Sequence, residues 1–282
     1  MLRPPVDLHT HSTASDGGLA PAALVRAAAE RGVRCLALTD HDTCAGLDEA
    51  RAEAEAQGVR LINGIELSSV WGPRGVHVVG LDMDPHHPAM REAVSHQQQA
   101  RERRADEIAA RLEKQGFEGI LAAAQQQAGA AQVGRPHFAR ALVACGYVSS
   151  EGEAFKRYLG AGKIGDIRAH WPAMAQAIAW IHAAGGVAIL AHPGKYDLTW
   201  TKLRRLVADF VAAGGDGIEV SYGGENRERI RELVRMANQQ RLLASVGSDY
   251  HSPRYHWTEL GKFPPLPEPV DGVWERWLAS SN

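Results

Sequence analysis

Short apolar segments rich in β-branched residues alternate along this chain with alanine-rich helical patterns, and this alternation restricts the possible folds. Seven segments are predicted to be buried strands: residues 6–9, 33–39, 59–67, 76–83, 187–192, 217–221 and 243–247. Five helical patterns lie between several of them: residues 21–31, 47–57, 174–184, 203–213 and 227–239. Strands separated by helices pair in parallel through right-handed crossovers. The pattern therefore predicts an α/β fold, a TIM-like (β/α) barrel with seven units rather than eight.

One long stretch, residues 88–171, contains no convincing strand and is rich in glutamine and alanine. A helical pattern begins at Arg101 and runs to Glu113, with Ile108 and Leu112 one turn apart on the same face. We therefore predict a helical cap at 88–171, inserted into a barrel formed by residues 1–87 and 172–282. The cap is expected to lie over the site and bind a phosphorylated substrate. It carries much of the positive charge of the chain, including Arg101, Arg103, Arg104, Arg135, Lys156, Arg157 and Lys163.

The overall composition excludes several classes of protein. The chain has 282 residues and a formal net charge of −2, which argues against coating nucleic acid by overall charge but allows a local basic patch. Its three cysteines form no CxxC pair, which favours a reduced compartment. No apolar signal region opens the chain, and no apolar run approaches the roughly 18 residues that span a bilayer. We expect a soluble cytoplasmic protein without membrane contact, and no obligate protein partner is evident.

Histidine and acidic residues close most of the predicted strands. His9 and His11 lie two residues apart at the end of the first strand, so their side chains point the same way. Asp249 and His251 repeat this spacing at the last strand, which in a closed barrel lies beside the first. Imidazole and carboxylate together are a ligand set for zinc, iron or manganese. The other candidate ligands are Asp16, His41, Glu66, His77 and His192.

Several of these side chains also have a purely structural interpretation. Glu66 could form a salt bridge at the barrel mouth, but a carboxylate between two cations would reduce their repulsion, and we favour that bridging role. Glu219 ends a similar segment, as either a ligand or a structural carboxylate. His77 lies near the start of its apolar run, so spacing alone does not place it at the site. The histidines expected on the surface, in loops or in helices are His86, His87, His96, His170, His182 and His256.

In residue type and order, these positions resemble the polymerase and histidinol phosphatase (PHP) family. The resemblance covers nearly the whole chain, through His9-x-His11, Asp16, Thr39-Asp40-His41-Asp42, Gly64-x-Glu66, His77, His192-Pro193 and Ser248-Asp249-x-His251. It implies a distorted seven-stranded barrel that holds up to three divalent metal ions and hydrolyses phosphoesters.

The resemblance also implies how the ligands are shared between metal ions. One ion would be held by His9, His11, Glu66 and Asp249. A second would be held by Asp16, His41 and His251. A third would be held by Glu66, His77 and His192, with Glu66 bridging. All of these residues except His77 are also assigned to catalysis. An aspartate at position 16 makes the second site richer in oxygen and favours Mn²⁺ over Zn²⁺. We expect Mn²⁺, with Zn²⁺ or Fe²⁺ as the alternatives.

Within the family, the chain looks most like the 3′,5′-nucleoside bisphosphate phosphatases and the related 5′-to-3′ exoribonucleases of short RNA. The matching features are the inserted cap, Arg101-x-x-Arg104, Arg135-Pro136-His137-Phe138-Ala139-Arg140 and Tyr158-Leu159-x-x-Gly162-Lys163. The resemblance implies that Arg101, Arg104, Arg135 and His137 bind the phosphate and nucleotide of the substrate. From the sequence alone, the first two arginines could equally form a solvated helix face. Asp166 departs from the family pattern, which tends to have an aromatic residue there, and its charge could repel a second phosphate.

The reaction implied is metal-assisted removal of the 3′-phosphate from nucleoside 3′,5′-bisphosphates, or hydrolysis of 5′-phosphorylated short RNA. Bound metal ions lower the pKa of water from about 15.7 toward roughly 7 and so supply hydroxide at neutral pH. The general acid stays open between His137 and Asp42. Two alternatives are a histidinol-phosphate-type phosphatase from the same family and a non-catalytic PHP interaction module. The module is disfavoured because every ligand position is filled.

Overall fold

The computed structural model describes residues 4–254, 258–267 and 269–278, so His256 lies outside the described residues. The chain divides into two compact units. The barrel unit comprises Met1–Val94 and Pro172–Asn282, and the helical unit comprises Ser95–Trp171. The boundary at residue 94 falls inside a helix rather than in a loop. That the helical unit caps the barrel stays a prediction.

The barrel unit is built on one sheet, whose strands within the described residues follow chain order from β1 to β7. The strands are β1 (Val6–Asp7), β2 (Cys35–Leu38), β3 (Arg60–Trp71), β4 (Arg74–Leu81), β5 (Val187–Leu190), β6 (Gly217–Ser221) and β7 (Leu243–Val246). The first and last strands approach each other, because the Leu8 N–H donates to the Val246 carbonyl at 3.1 Å. Just beyond them, Thr10 and Tyr250 form a parallel bridge. The sheet is therefore a nearly closed, barrel-like α/β structure, which agrees with the predicted fold class.

Strand β4 departs from the predicted all-parallel barrel. It pairs antiparallel with both β3 and β5, whereas the other neighbouring pairs are parallel. The connection from β3 consists of Gly72 and Pro73, which is too short for a helical crossover and returns the chain as a hairpin. The amino-terminal part of β4 therefore lies at the edge where the parallel strands have their carboxyl ends. The prediction of seven parallel strands was wrong at this strand.

Five helices match the predicted patterns within a few residues, and the helix that begins at Pro88 includes the pattern predicted from Arg101, whereas the other four described helices had no separate predicted pattern. The helices are α1 (Pro21–Glu30), α2 (Leu47–Gln57), α3 (Pro88–Glu113), α4 (Ile120–Ala128), α5 (Arg135–Ala144), α6 (Glu151–Ala154), α7 (Met174–Ala183), α8 (Trp200–Ala212), α9 (Arg227–Gln240) and α10 (Glu275–Leu278). A π-helix at Phe155–Leu159 and a 3₁₀-helix at Pro193–Tyr196 complete the set. Among the described residues, no helix is both long and apolar enough to cross a bilayer.

Each unit has its own hydrophobic core. In the barrel unit, α8 buries Leu203, Leu206, Val207 and Phe210, which recur at the spacing of one helix face. The hydroxyl of Thr199 caps the first turn of this helix by accepting from the Lys202 N–H. In the helical unit, the predicted apolar face of α3 is buried against residues of the neighbouring helices. These buried faces hold the helices against the cores, whereas the polar side chains lie at the ends of the strands.

Candidate metal centre

The first two histidines leave β1 in an extended segment that is held on one side by β2. The Thr10 hydroxyl donates to the Ala37 carbonyl at 2.7 Å, and the Thr10 N–H donates to the Thr39 hydroxyl at 3.1 Å. His9 and His11 therefore point to the same side, and their Nε2 atoms are 3.1 Å apart. Both side chains are buried. Local strand geometry thus produces a paired imidazole site.

Glu66, on β3, lies at the centre of five imidazoles. Its Oε1 is 2.8 Å from His77 Nδ1 and 2.8 Å from His192 Nε2. Its Oε2 is 3.0 Å from His41 Nδ1, 3.2 Å from His9 Nε2 and 3.3 Å from His11 Nε2. The two oxygens of one buried carboxylate thus face different sets of histidines, which is the arrangement that a bridging ligand requires.

His77 reaches this cluster because β4 is reversed. It pairs with Ser68 of β3, two residues beyond Glu66, so both side chains lie near the same edge of the sheet. On a parallel strand, a residue so early in the run would lie at the opposite edge. The reversal explains why spacing along the sequence did not place this histidine.

The carboxylates that follow β1 and β7 complete the cluster. Asp249 Oδ1 is 3.5 Å from His9 Nε2 and 3.4 Å from His11 Nε2. Asp16 lies 3.5 Å from His251 Nε2 and 3.9 Å from His41 Nε2. Asp249 has a φ of +51° and His192 a φ of +26°, values that side-chain-bearing residues adopt at an energetic cost. Two members of the cluster are therefore held in strained backbone.

All nine predicted metal ligands lie in this one cluster, although their metal-binding roles stay predictions. Their donor atoms form four groups in which all atoms lie within 4.8 Å of one another: His11–Asp16–His41–His251, His9–Glu66–His192, His9–His11–Asp249 and His41–Glu66–His77. The grouping differs from the predicted sharing, because His11 joins the Asp16 group and because His77 and His192 lie in separate groups with Glu66. Glu66 belongs to two groups, as a bridging residue would.

Two residues that the sequence did not assign contact the cluster from outside. Glu219 of β6 lies 3.2 Å from His9 Nδ1 and accepts the His192 N–H at 2.6 Å. An imidazole that donates from Nδ1 to a carboxylate keeps its Nε2 lone pair for a metal ion. The Lys195 ammonium pairs with Asp249 Oδ2, on the side away from the histidines. The sequence had left the role of Glu219 open between a ligand and a structural carboxylate. No hydrophobic periodicity or motif in the sequence had singled out Lys195.

The two acidic residues that flank His41 organise loops. Asp40 accepts from the Ser12 N–H at 2.7 Å and from the Ser15 hydroxyl at 2.6 Å, and so shapes the loop that leads to Asp16. Asp42 accepts from both the N–H and the hydroxyl of Ser68, at 2.6 and 2.8 Å. Because both oxygens of Asp42 accept hydrogen bonds, it is poorly suited to the general-acid role that the sequence had left open.

The electrostatics of the cluster suit a divalent cation. Burial opposes charge on His9, but Glu219, Glu66 and Asp249 together raise its pKa well above the usual value. For His11, burial is likewise outweighed by hydrogen bonds to carboxylates, and its pKa rises to about 9. Burial raises the pKa of Glu66, but the nearby His41, His9 and His77 lower it well below its usual value. The carboxylates thus attract positive charge, which a divalent metal ion would supply.

Other histidines are in the form that binds metal. Burial lowers the pKa of His41 to about 4, against the opposing charge of Glu66. Burial also lowers the pKa values of His192 and His251. Neutral imidazoles offer a lone pair, so these residues and the nearby carboxylates fit divalent metal ions.

The predicted substrate-binding residues all lie in the helical unit. Arg101 and Arg104 stack on the ring of Trp171, with Cζ at 5.5 and 5.2 Å from its centroid. Arg104 is buried and its Nε donates to the Ile167 carbonyl at 2.7 Å, so the solvated-face interpretation was wrong for this arginine. Arg135 donates to the Leu159 carbonyl at 3.1 Å. His137 Nδ1 accepts the Gly134 N–H at 2.9 Å and caps α5.

The charge of Asp166 is compensated within the same unit. The carboxylate pairs with Arg168 and accepts the Gly162 N–H at 2.8 Å, and Arg135 lies 3.8 Å away. Burial raises the pKa of Asp166, but the hydrogen bonds from Arg168 and Gly162 lower it overall. Because this negative charge is already paired, the repulsion of a phosphate expected from the sequence is reduced.

The remaining predicted surface, loop and helix histidines lie where they were expected, apart from the undescribed His256. His96 is in α3 and His182 is in α7, where its Nε2 is 2.8 Å from Asp216. His170 is 3.1 Å from Glu107. None of the described histidines in this set belongs to the four ligand groups.

Comparison with known proteins agrees with this geometry. The family model described as the PHP domain matches residues 7–182. The chain belongs to the PHP family. A 5′-3′ exoribonuclease of Haemophilus influenzae is 48% identical to this PHP chain over 270 residues, covering 96% of this chain and 98% of the relative. A 3′,5′-nucleoside bisphosphate phosphatase of Chromobacterium violaceum is 40% identical over 270 residues, covering 95% of each.

Two solved structures are similar to nearly the whole chain. An amidohydrolase from Chromobacterium violaceum, with bound sulfate and no metal, superimposes with a TM-score of 0.90 and 39% identity, covering 97% of this chain and 95% of its own. A Bifidobacterium adolescentis protein assigned as a metal-dependent phosphoesterase gives a TM-score of 0.77 and 32% identity, covering 95% and 92%. The resemblance inferred from the sequence is confirmed, and the PHP cluster is suited to divalent metal ions.

Proposed function

We propose that this PHP protein is a metal-dependent phosphoesterase that hydrolyses the 3′-phosphate of nucleoside 3′,5′-bisphosphates or 5′-phosphorylated short RNA. The observation that carries the proposal is Glu66, a buried carboxylate between five imidazoles. Relatives of similar length with these two activities, at 40–48% identity, support the choice of substrate.

Two or three divalent ions, Mn²⁺ in preference, would be held by the nine ligand residues of the cluster. When bound, the ions activate water and offset the charge on the phosphoryl group. The chain's own residues set the geometry. Glu219 fixes the tautomer of His9, Lys195 holds the outer oxygen of Asp249, and Glu66 spans two ligand groups. The oxygen-containing ligands Asp16, Glu66 and Asp249 favour Mn²⁺.

Substrate selection is proposed to depend on the helical unit. Arg101, Arg104, Arg135 and His137 would bind the phosphate that is not hydrolysed, together with the nucleotide. Guanidinium groups suit this task because they donate two parallel hydrogen bonds to phosphate oxygens. Pairing of Asp166 with Arg168 supports this role, since it reduces negative charge near Arg135.

The proposal is tested by incubating the Mn²⁺-loaded protein separately with adenosine 3′,5′-bisphosphate, a 5′-phosphorylated oligoribonucleotide and histidinol phosphate. We expect turnover of a nucleotide substrate and little phosphate release from histidinol phosphate. Faster release from histidinol phosphate would favour the alternative phosphatase, and inactivity on all three would contradict the enzyme assignment.

The role of the helical unit is tested with Arg135→Ala. Because this arginine is proposed to bind the non-reacting phosphate, KM for the bisphosphate should rise at least about tenfold, as expected for loss of a charged hydrogen bond. Arg157→Ala is a matched control on the same unit, since Arg157 pairs with Glu153 at the surface. An unchanged KM for Arg135→Ala would contradict the assignment.

A further inference from the structure

A tryptophan and an arginine form an exposed stack on the barrel unit. The Trp200 side chain is 37% exposed, one of two large hydrophobic residues exposed to this degree in the described chain. The Arg229 guanidinium lies over its ring, with Cζ 5.6 Å from the ring centroid. None of the roles assigned above accounts for this pairing of an exposed aromatic ring with a guanidinium group.

This stack is tied to the metal cluster by a short run of chain. The Arg229 Nη1 donates to the Gly194 carbonyl at 2.6 Å. Gly194 is followed by Lys195, whose ammonium pairs with Asp249, and is preceded two residues earlier by His192. The segment that contacts the stack therefore carries one residue of the cluster, His192, and the lysine that pairs with Asp249.

Close packing makes this connection rigid. A Cβ atom added at Gly194 would lie 2.6 Å from Arg229 Cδ and 2.1 Å from both the Tyr222 hydroxyl and a Glu225 carboxylate oxygen. Only glycine fits this approach. The position of Arg229, and with it the ring that it covers, is thereby fixed relative to the segment that carries His192.

The topology places the stack at the functional edge of the sheet. Trp200 is the first residue of α8, which follows β5, and Arg229 is in the first turn of α9, which follows β6. Segments that follow the carboxyl ends of parallel strands gather at one face of a barrel, where the cluster also lies. Lys195, with 43% of its side chain exposed, adds a cation between the stack and the cluster.

We propose that Trp200, supported by Arg229, is a stacking platform for a nucleobase of an RNA substrate, beyond the nucleotide at the metal centre. This inference rests on the proposed function. Single-stranded RNA is bound through aromatic faces that stack on bases and cations that contact the backbone, which are the two features present here. A nucleoside bisphosphate has only one base, whereas an oligoribonucleotide brings further bases that need a surface.

The kinetic test compares Trp200→Ala with the wild type on a 5′-phosphorylated oligoribonucleotide and on adenosine 3′,5′-bisphosphate. Loss of one stacked base should lower the ratio of the two kcat/KM values by between about fivefold and a hundredfold. Trp200→Phe retains an aromatic face and should restore most of the ratio. Tyr147→Ala is the matched control, because Tyr147 is the other exposed large hydrophobic residue and lies in the helical unit. An unchanged ratio, or an equal loss of kcat/KM on both substrates, would contradict the stacking role of Trp200.

A binding test separates this inference from the proposed function. Fluorescence anisotropy of a labelled 5′-phosphorylated hexaribonucleotide is measured with the full chain in EDTA, so that no turnover occurs. Trp200→Ala should weaken Kd within the same range, and Trp200→Phe should not. If RNA binding depends on Trp200 but the protein hydrolyses neither nucleotide substrate, the proposed function is contradicted and the stacking role of Trp200 is supported. If the oligoribonucleotide does not bind, or if its Kd does not depend on Trp200, the stacking role of Trp200 is contradicted even if the enzyme is active.

Discussion

At the residue scale, the centre depends on a few side chains whose contacts are set by neighbours outside the nine predicted ligands. Glu66 faces five imidazoles, whereas Glu219 and Lys195 approach the cluster from its outer side. Such outer contacts fix the tautomer and orientation of the ligands. The two kinds of carboxylate should therefore respond differently to substitution.

Glu66→Gln should abolish turnover and reduce the number of bound Mn²⁺ ions. The amide is nearly isosteric but has lost the negative charge and one acceptor oxygen, so it cannot bridge two cations. Metal content is measured by elemental analysis after dialysis, together with phosphate release. Glu259→Gln is a matched control, because Glu259 pairs only with Lys262 among the contacts resolved at the surface. An active Glu66→Gln enzyme would contradict the bridging role.

Glu219→Gln should weaken Mn²⁺ binding by about 10- to 100-fold and lower kcat, with little effect on KM at saturating metal. Glutamine can present an N–H to His9 Nδ1, which favours the tautomer with the proton on Nε2 and removes the lone pair from the cluster. The measurement is a metal titration followed by activity. Recovery of kcat at high Mn²⁺ concentration would show that only affinity was lost. Unchanged metal affinity would contradict the orienting role.

At the scale of elements, the hairpin of β3 and β4 determines which side chains meet. The hydrophobic pattern predicted both strands, because alternation and β-branched residues are local properties. It did not reveal the direction of β4, because apolar runs are the same in parallel and antiparallel strands. The turn residues Gly72 and Pro73 were the only local signal of the reversal.

Gly72→Ala should destabilise the protein by about 1 kcal/mol, because Gly72 has a φ of +55° that alanine adopts only under strain. The free energy of unfolding is obtained from urea denaturation. Gly152→Ala is the control, since Gly152 lies in helix α6, where alanine is favoured and no close contact is met. Equal effects of the two substitutions would show that the turn conformation carries no special cost.

At the scale of the whole molecule, the sequence predicted the nine ligand positions, and they converge because strand ends of a barrel meet at one edge. It could not decide whether Glu219 is a ligand or a structural carboxylate, and it contained no signal for Lys195. Their contacts join β6 and the 3₁₀-helix to residues that are distant in the sequence. Nor could it show that Arg104 is buried, because a glutamine- and alanine-rich helix has weak polarity contrast. The periodicity of apolar residues predicts which face of a helix or strand is buried, whereas contacts between distant elements can be read only from the folded structure.

Removal of metal should change how stability depends on pH. In the metal-free protein, the pKa of His11 is raised from 6.5 to about 9 by its carboxylate neighbours, against burial. This protonation stabilises the folded state below pH 6.5, and the stabilisation is lost as pH rises through about 9. Metal ions compete with these protons, so their stabilisation grows over the same range.

The gap in Tm between Mn²⁺-loaded and EDTA-treated protein should therefore widen from pH 6.5 to pH 9. Thermal melts across this range, in buffers that do not bind Mn²⁺, measure the gap. Glu66→Gln serves as the comparison, because its gap should be smaller at every pH. A gap that narrows with rising pH would contradict competition between protons and metal.

The contact between the first and last strands, β1 and β7, has a consequence for the synthesis of the chain. His9 and His11 are translated some 240 residues before their partner Asp249. While the ribosome is still translating, the nascent chain lacks a complete cluster. Any activity that depends on this cluster would thus be absent until the chain has been translated beyond His251.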